Sequence, residues 1–248
     1  MKRRILSDGQ VSDLIDLRDA ASRHNAQIVI IGAVAIACQL DDLGRFTSDV
    51  DLVIALDLVA FEDFAGVLES QGWTRQQRRE HRWTSKRGSL ADILPAGPKL
   101  RKAGQITWPV SQMTMSLAGF DHVFRHATLI EFAPKVEFPV APLAVVALLK
   151  IFAFLDGPYR RAKDLLDLKM LMTKYEADGD RLFSDEVFAA NLTDFDQSNA
   201  FLLGLDVGLL ANSAEKTIVS KFLDRHCDND SHTERVRLHF QAFQQGIG

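Results

Sequence analysis

The stretch QIVIIGAVAIACQLDDLGRFTSDVDLVIAL, residues 27–56, decides the fold. From Gln27 to Ile31 the chain is dominated by β-branched apolar residues, the pattern of a strand at the centre of a sheet, and Gly32 ends it before the helix-like AVAIACQL. A strand that passes through glycine into a helix leaves backbone N–H groups and the helix dipole free at the junction. Phosphate binds such a place, and a side chain there would obstruct its approach. After the turn DDLGR, residues 49–55 read DVDLVIA, a strand with an acidic tip. One residue separates Asp49 from Asp51, so both carboxylates leave the same face of the strand while Val50 leaves the other.

Two carboxylates this close repel one another and raise each other's pKa unless a cation lies between them. Hard oxygen donors of this kind suit magnesium, which also takes phosphate oxygens. Taken alone, a D-x-D pair is common and is more often a solvated strand end than a metal site. A third carboxylate, Asp92, lies in SLADILP, another apolar strand where an acid between Ala91 and Ile93 is awkward unless it faces a polar site. If that strand lies beside the one carrying Asp49 and Asp51, three carboxylates converge, which is what two-metal phosphoryl transfer requires.

IGAVAIACQL, RFTSDVDLVIAL and ADILP together resemble the nucleotidyltransferase superfamily, and within it the AbiEii/AbiGii-type branch of abortive-infection and toxin–antitoxin proteins. The matching positions are Gly32, Ala33, Ala35, Arg45, Thr47, Asp49, Asp51 and Asp92. The resemblance covers residues 29–95 well and the remainder more weakly. It implies a polymerase-β-like fold in which Asp49 and Asp51 hold Mg2+ and Asp92 is the third carboxylate and the base. Gly32, Ala33, Arg45 and Thr47 are then nucleotide-binding positions. Where the family carries a second Gly or a Ser, this chain has Ala33, which removes a hydroxyl contact to the triphosphate but leaves the backbone donors.

Around this centre the periodicities predict a helix over 11–25, another over 58–70, and short strands in WTRQ, HRWTS and LADIL. Past Val136 the pattern becomes helical, with helices expected over 141–155, 159–175, 183–191, 198–211, 214–226 and 232–244. Ser231 and Glu234 offer a capping box for the last. The expected architecture is therefore α+β, with a mixed-sheet nucleotidyltransferase domain over 1–136 followed by a helical domain over 137–248.

Lys150 is the one charged side chain between Leu143 and Leu155, so its ammonium either snorkels to water or meets an anion such as the triphosphate. The following PYRRAKDLLDLKML spaces Arg160/Asp164 and Lys163/Asp167 four apart, as surface ion pairs do. Related proteins of this branch carry a lysine-bearing helix followed by a basic one ending in D-x-x-D, which implies a nucleotide-binding role for Lys150 and Asp164. Residues 75–87, RQQRREHRWTSKR, hold six Lys/Arg against one Glu with Trp73 and Trp83 nearby. This hairpin-like stretch reads as an RNA or pyrophosphate contact through Arg78, Arg79 and Arg82, or equally as an edge whose charges ward off strand pairing.

The 248 residues carry 29 Lys+Arg against 33 Asp+Glu, a net charge of −4, and 47% hydrophobic side chains. That composition excludes disorder as the main state and histone-like binding. Two cysteines, Cys38 and Cys227, make no disulfide framework, and MKRRILSDGQ lacks an apolar signal core, so a cytoplasmic location is expected. The longest apolar run, 138–155, is broken by Pro139, Pro142 and Lys150, leaving about thirteen clean positions where a membrane span needs about 20. His122 and His126 fall in DHVFRHATLIE, read as a strand that would hold them about 13 Å apart. Gly204 and Gly208 read as a place of close helix packing.

The function expected from these readings is Mg2+-dependent transfer of a nucleoside monophosphate from an NTP to an acceptor hydroxyl. By resemblance the acceptor is the 3′ end of tRNA, as for toxins of this branch, or a hydroxyl on a protein or a small antibiotic-like molecule, and a toxin of this branch has a separately encoded antitoxin. Two alternatives stand beside it. One is a nucleotide-binding sensor without transfer, and the other is an antibiotic-directed, small-molecule nucleotidyltransferase.

Overall fold

A computed structural model describes residues 5–40, 48–176 and 179–248. The chain divides into two compact units, Met1–Pro142 and Leu143–Gly248. The first is built on a seven-stranded sheet and the second on helices.

In the first unit α1 (Asp8–Arg23) opens with Ser7, whose side chain accepts from the Gln10 N–H while the Gln10 side chain accepts from the Ser7 N–H, a reciprocal cap. Then come β1 (Ile28–Ile31), buried throughout, α2 (Gly32–Leu40), β2 (Asp49–Ile54) and α3 (Leu58–Ser70). The strands β3 (Thr74–Gln76), β4 (Arg79–Thr84) and β5 (Leu90–Pro95) follow, with α4 (Pro98–Ala103) after them. A separate two-stranded ribbon, β6 (Gln105–Thr107) and β7 (Thr114–Ser116), precedes α5 (Phe120–His126), β8 (Thr128–Ala133) and β9 (Val136–Val140).

The main sheet runs β3-β4-β5-β2-β1-β9-β8. Its two parallel pairings, β2 with β5 and β1 with β9, sit on either side of the antiparallel β1–β2 pair. That arrangement explains the burial of Val29, Ile30, Leu52, Val53, Ile54 and Ile93, which lie in strands flanked on both edges. The expected change of composition at Val136 marks the start of β9, whose residues pair with β8 and β1. The helical unit begins after it, at Leu143.

The second unit contains α6 (Leu143–Asp156), α7 (Ala162–Lys174), α8 (Asp185–Ala189), α9 (Ser198–Leu210), α10 (Ser213–Leu223) and α11 (Glu234–Ile247). Helix α6 is buried on nearly every face, as an almost wholly apolar helix must be. Its 14 residues would reach only about 21 Å, and no described helix is long and apolar enough to cross a membrane. Helices α9 and α11 touch backbone to backbone, because a Cβ on Gly204 would strike the Phe243 carbonyl and one on Gly246 the Phe201 carbonyl.

Two local expectations are corrected. DHVFRHATLIE is not one strand: Gly119, at φ 79°, starts the short helix α5, and Ala127 turns the chain into β8. His122 and His126 consequently stack with ring centroids 5.9 Å apart. The cap of α11 is Thr233, whose hydroxyl accepts from the Val236 N–H, and not Ser231, which is engaged with Asn229.

Candidate active site

The sheet register assembles the site. Strand β5 lies parallel to β2 with Asp92 directly opposite Asp51 and Leu90 opposite Asp49. On the other side of β5, antiparallel β4 sets Arg82 opposite Asp92, while on the other side of β2, antiparallel β1 sets Ile31 opposite Asp51. Neighbouring strands are about 4.8 Å apart and opposed residues share a face, so Asp51, Asp92 and Arg82 form one row, with Asp49 two residues along the same face. The apolar partners Val50, Ala91 and Trp83 alternate with them and are buried, which fixes the polar set on the opposite face.

Gly32 closes the row at the β1–α2 junction. It adopts φ +68°, a conformation that costs an L side chain about 1 kcal/mol or more, and a Cβ built on it would collide with the Asp51 carboxylate. The glycine therefore lets a carboxylate lie against the start of a nine-residue helix.

The carboxylates are tied together by Arg82. Its Nε donates to Asp92 Oδ1 at 2.7 Å, and its Nη2 donates to Asp92 Oδ2 and to Asp49 Oδ2, both at 2.7 Å. The hydrogen bond to Asp92 and the negative field of Asp92, Asp49 and Asp51 hold the guanidinium pKa above its ordinary value, against the opposing effect of burial. Among the described residues no group of three or more His, Cys, Asp or Glu side chains already surrounds a common metal position, and a guanidinium lies between Asp49 and Asp92. The donor set nevertheless fits a hard divalent cation. It offers carboxylate oxygens from adjacent in-register strands, beside a glycine cradle that a Cβ would fill.

The place of Arg82 among the carboxylates was not read from the sequence. The residue was expected as an RNA or phosphate contact with Arg78 and Arg79, yet cross-strand pairing commits it to the carboxylates. The signal was present, since folding the chain back symmetrically about Arg87 opposes Arg82 to Asp92. Most of the basic window is likewise used internally. Arg75 forks onto Glu62 beneath Phe61, Trp83 and Trp108, while Arg87 bridges Asp13 and Asp16, with Lys86 near Asp16. Trp73 and Trp83 are buried and offer no stacking platform. Arg78 and Arg79 remain exposed.

Arg45 and Thr47 lie outside the described residues, and Ala33 is buried. In the second unit Lys150 is 7% exposed and neither snorkels nor stands alone. Its Nζ lies 2.9 Å from Asp164 Oδ1 and 2.7 Å from Asp167 Oδ2. Burial pushes the ammonium pKa down, but the two carboxylates overcome it and hold the group above its ordinary value. Asp164 and Asp167, expected in surface pairs with Arg160 and Lys163, turn to the buried lysine; Asp167 was not anticipated in this role. A cleft of about 450 Å³ between α1 and the β8–β9 hairpin, lined by Arg18, Gln27, Leu129, Glu131 and Glu137, includes none of the expected site residues.

A family model described as "Nucleotidyl transferase AbiEii toxin, Type IV TA system" matches residues 15–247. No curated protein matches the chain. Three of the solved structures similar to it carry related names. The antibiotic-resistance factor ANT(2'')-Ia is 14% identical, with 68% of this chain and 95% of that one covered and a TM-score of 0.41. An antigenic nucleotidyltransferase-like protein from Paracoccidioides brasiliensis is 17% identical, with 66% and 75% covered and a TM-score of 0.42. A CCA-adding enzyme in complex with ATP is 15% identical, with 96% and 63% covered and a TM-score of 0.36.

Proposed function

The chain belongs to the AbiEii nucleotidyltransferase toxin family, and from that premise we propose that Asp49, Asp51 and Asp92 carry out Mg2+-dependent transfer of a nucleoside monophosphate to an acceptor hydroxyl. The observation that carries the reading is the row formed by Asp51 and Asp92, in register on parallel strands, with Gly32 against the Asp51 carboxylate.

In this reading Asp49 and Asp51 hold the metal, with Asp92 as third carboxylate. Magnesium held by these residues would supply Lewis-acid stabilisation of the phosphate oxygens. Asp92 accepts the proton of the acceptor hydroxyl as its oxygen bonds to the α-phosphorus. The bond from that phosphorus to the α–β bridging oxygen breaks, and pyrophosphate leaves. The backbone at Gly32 and Ala33 provides donors for the triphosphate at the start of α2. The nucleotide-binding assignment extends to Arg45 and Thr47.

The acceptor proposed is the 3′ end of tRNA, with the exposed Arg78 and Arg79 as phosphate contacts. A separately encoded antitoxin and a cytoplasmic setting complete the reading, in keeping with the toxin–antitoxin description of the family. The test is label transfer from each of the four α-labelled NTPs, with magnesium, to total cell RNA and protein, beside an Asp51→Asn control. Label in a small-RNA band with the wild type alone is the expected result. Label on a protein band, or none in either fraction, would overturn the tRNA assignment, and the latter would direct the search to small-molecule acceptors.

A further inference from the structure

The position between Asp49 and Asp92 is held by a cation that belongs to the protein. Arg82 makes three charge-assisted hydrogen bonds of 2.7 Å there, engaging both oxygens of Asp92 and one of Asp49. The contacts are largely out of water, with side-chain exposures of 20% for Arg82, 15% for Asp92 and 29% for Asp49. Solvent therefore screens them weakly, and the guanidinium relieves the repulsion that would otherwise drive the carboxylates apart. The planar fork takes both oxygens of Asp92 in a bidentate pair while reaching Asp49, whereas a lysine ammonium at the same place is a single point charge.

We infer that Arg82 is a resident counter-ion that competes with divalent metal for Asp49 and Asp92, keeping the carboxylates assembled but weakly receptive until it lets go. The inference rests on the magnesium reading above. Arg82 engages an oxygen of Asp49, which that reading gives to the metal, and both oxygens of Asp92, its third carboxylate, and a guanidinium left in place would repel a divalent cation beside them. Release of Arg82 requires another anion for its fork, and the triphosphate of the incoming nucleotide has the chemistry to supply it. Arg82 then acts as a positioning residue that disfavours metal loading in the absence of nucleotide.

The test is Mn2+ binding to the full chain without nucleotide, followed by the electron paramagnetic resonance signal of free Mn2+, for wild type, Arg82→Gln, Arg82→Lys and Asp51→Asn. Arg82→Gln is expected to bind Mn2+ about tenfold more tightly than wild type, with Arg82→Lys between them, and Asp51→Asn to lose binding. The melting temperature of Arg82→Gln should be lower than that of wild type without metal and should rise more on adding Mn2+. Equal or weaker binding by both Arg82 variants would overturn the inference and make Arg82 a fixed brace that orients the carboxylates. If neither wild type nor the variants bind Mn2+, or if Asp51→Asn binds as wild type does, the magnesium reading itself fails and this inference falls with it.

Discussion

At Gly32 a single hydrogen atom in place of a methyl group decides whether the candidate site can exist. The residue combines φ +68° with a Cβ position already filled by the Asp51 carboxylate, so Gly32→Ala meets two penalties at once. The backbone term alone is about 1–2 kcal/mol. The steric term falls on Asp51, which must swing away from the row it shares with Asp92. Gly32→Ala is expected to melt only a few degrees below wild type while losing at least about a hundredfold in nucleotidyl transfer, because a displaced carboxylate loses its catalytic geometry. Transfer within about threefold of wild type would show that Asp51 does not need its present position. The glycine between strand and helix and the D-x-D at a strand tip were each legible in the sequence, but the contact between them comes from the pairing of β1 with β2. Arg82 was not legible, because a run of six cations reads as one charged surface until cross-strand register assigns each its partner.

Between α6 and α7 the same difference between chain order and space decides what Lys150 does. A 3.6-residue period found both helices but began the second at 159, where Pro158–Arg160 forms a separate 3-10 turn before α7. It also set Asp164 and Asp167 opposite Arg160 and Lys163 along one helix, and was silent about the neighbouring helix that offers a buried ammonium. Where alternation itself was ambiguous, as in 120–131, only the glycine at 119 separates helix from strand. The ion triad has a direct consequence for stability. Lys150→Met would remove the cation from two carboxylates whose side chains are 14% and 3% exposed, and removal of one partner from such a buried set costs about 3–5 kcal/mol. Equilibrium urea unfolding should show that loss, and adding Asp167→Asn should recover part of it, since one uncompensated charge then disappears. If Lys150→Met unfolds like wild type while the KM for NTP rises, the lysine is a substrate contact and the triad contributes nothing to the fold.

For the molecule as a whole, the sequence carries a net charge of −4, and folding neutralises much of its most basic window. Of the six cations between residues 75 and 87, Arg75, Arg82, Lys86 and Arg87 have carboxylate partners within the first unit, and the flanking tryptophans are buried. Arg78 and Arg79 are left exposed to meet a polyanion. If the proposed acceptor is RNA and these two arginines are its phosphate contacts, counterion release contributes little to its affinity. Two contacts correspond to a slope of log K against log salt of about −1.4 to −1.8. Fluorescence anisotropy of labelled tRNA over a range of KCl concentrations should give a slope no steeper than about −2, and the Arg78→Ala/Arg79→Ala double variant should flatten it toward zero while leaving label transfer to water or a small alcohol unchanged. A slope steeper than about −4, or one the double variant does not alter, would place the phosphate contacts on other cations of the chain and remove the β3–β4 turn from the acceptor surface.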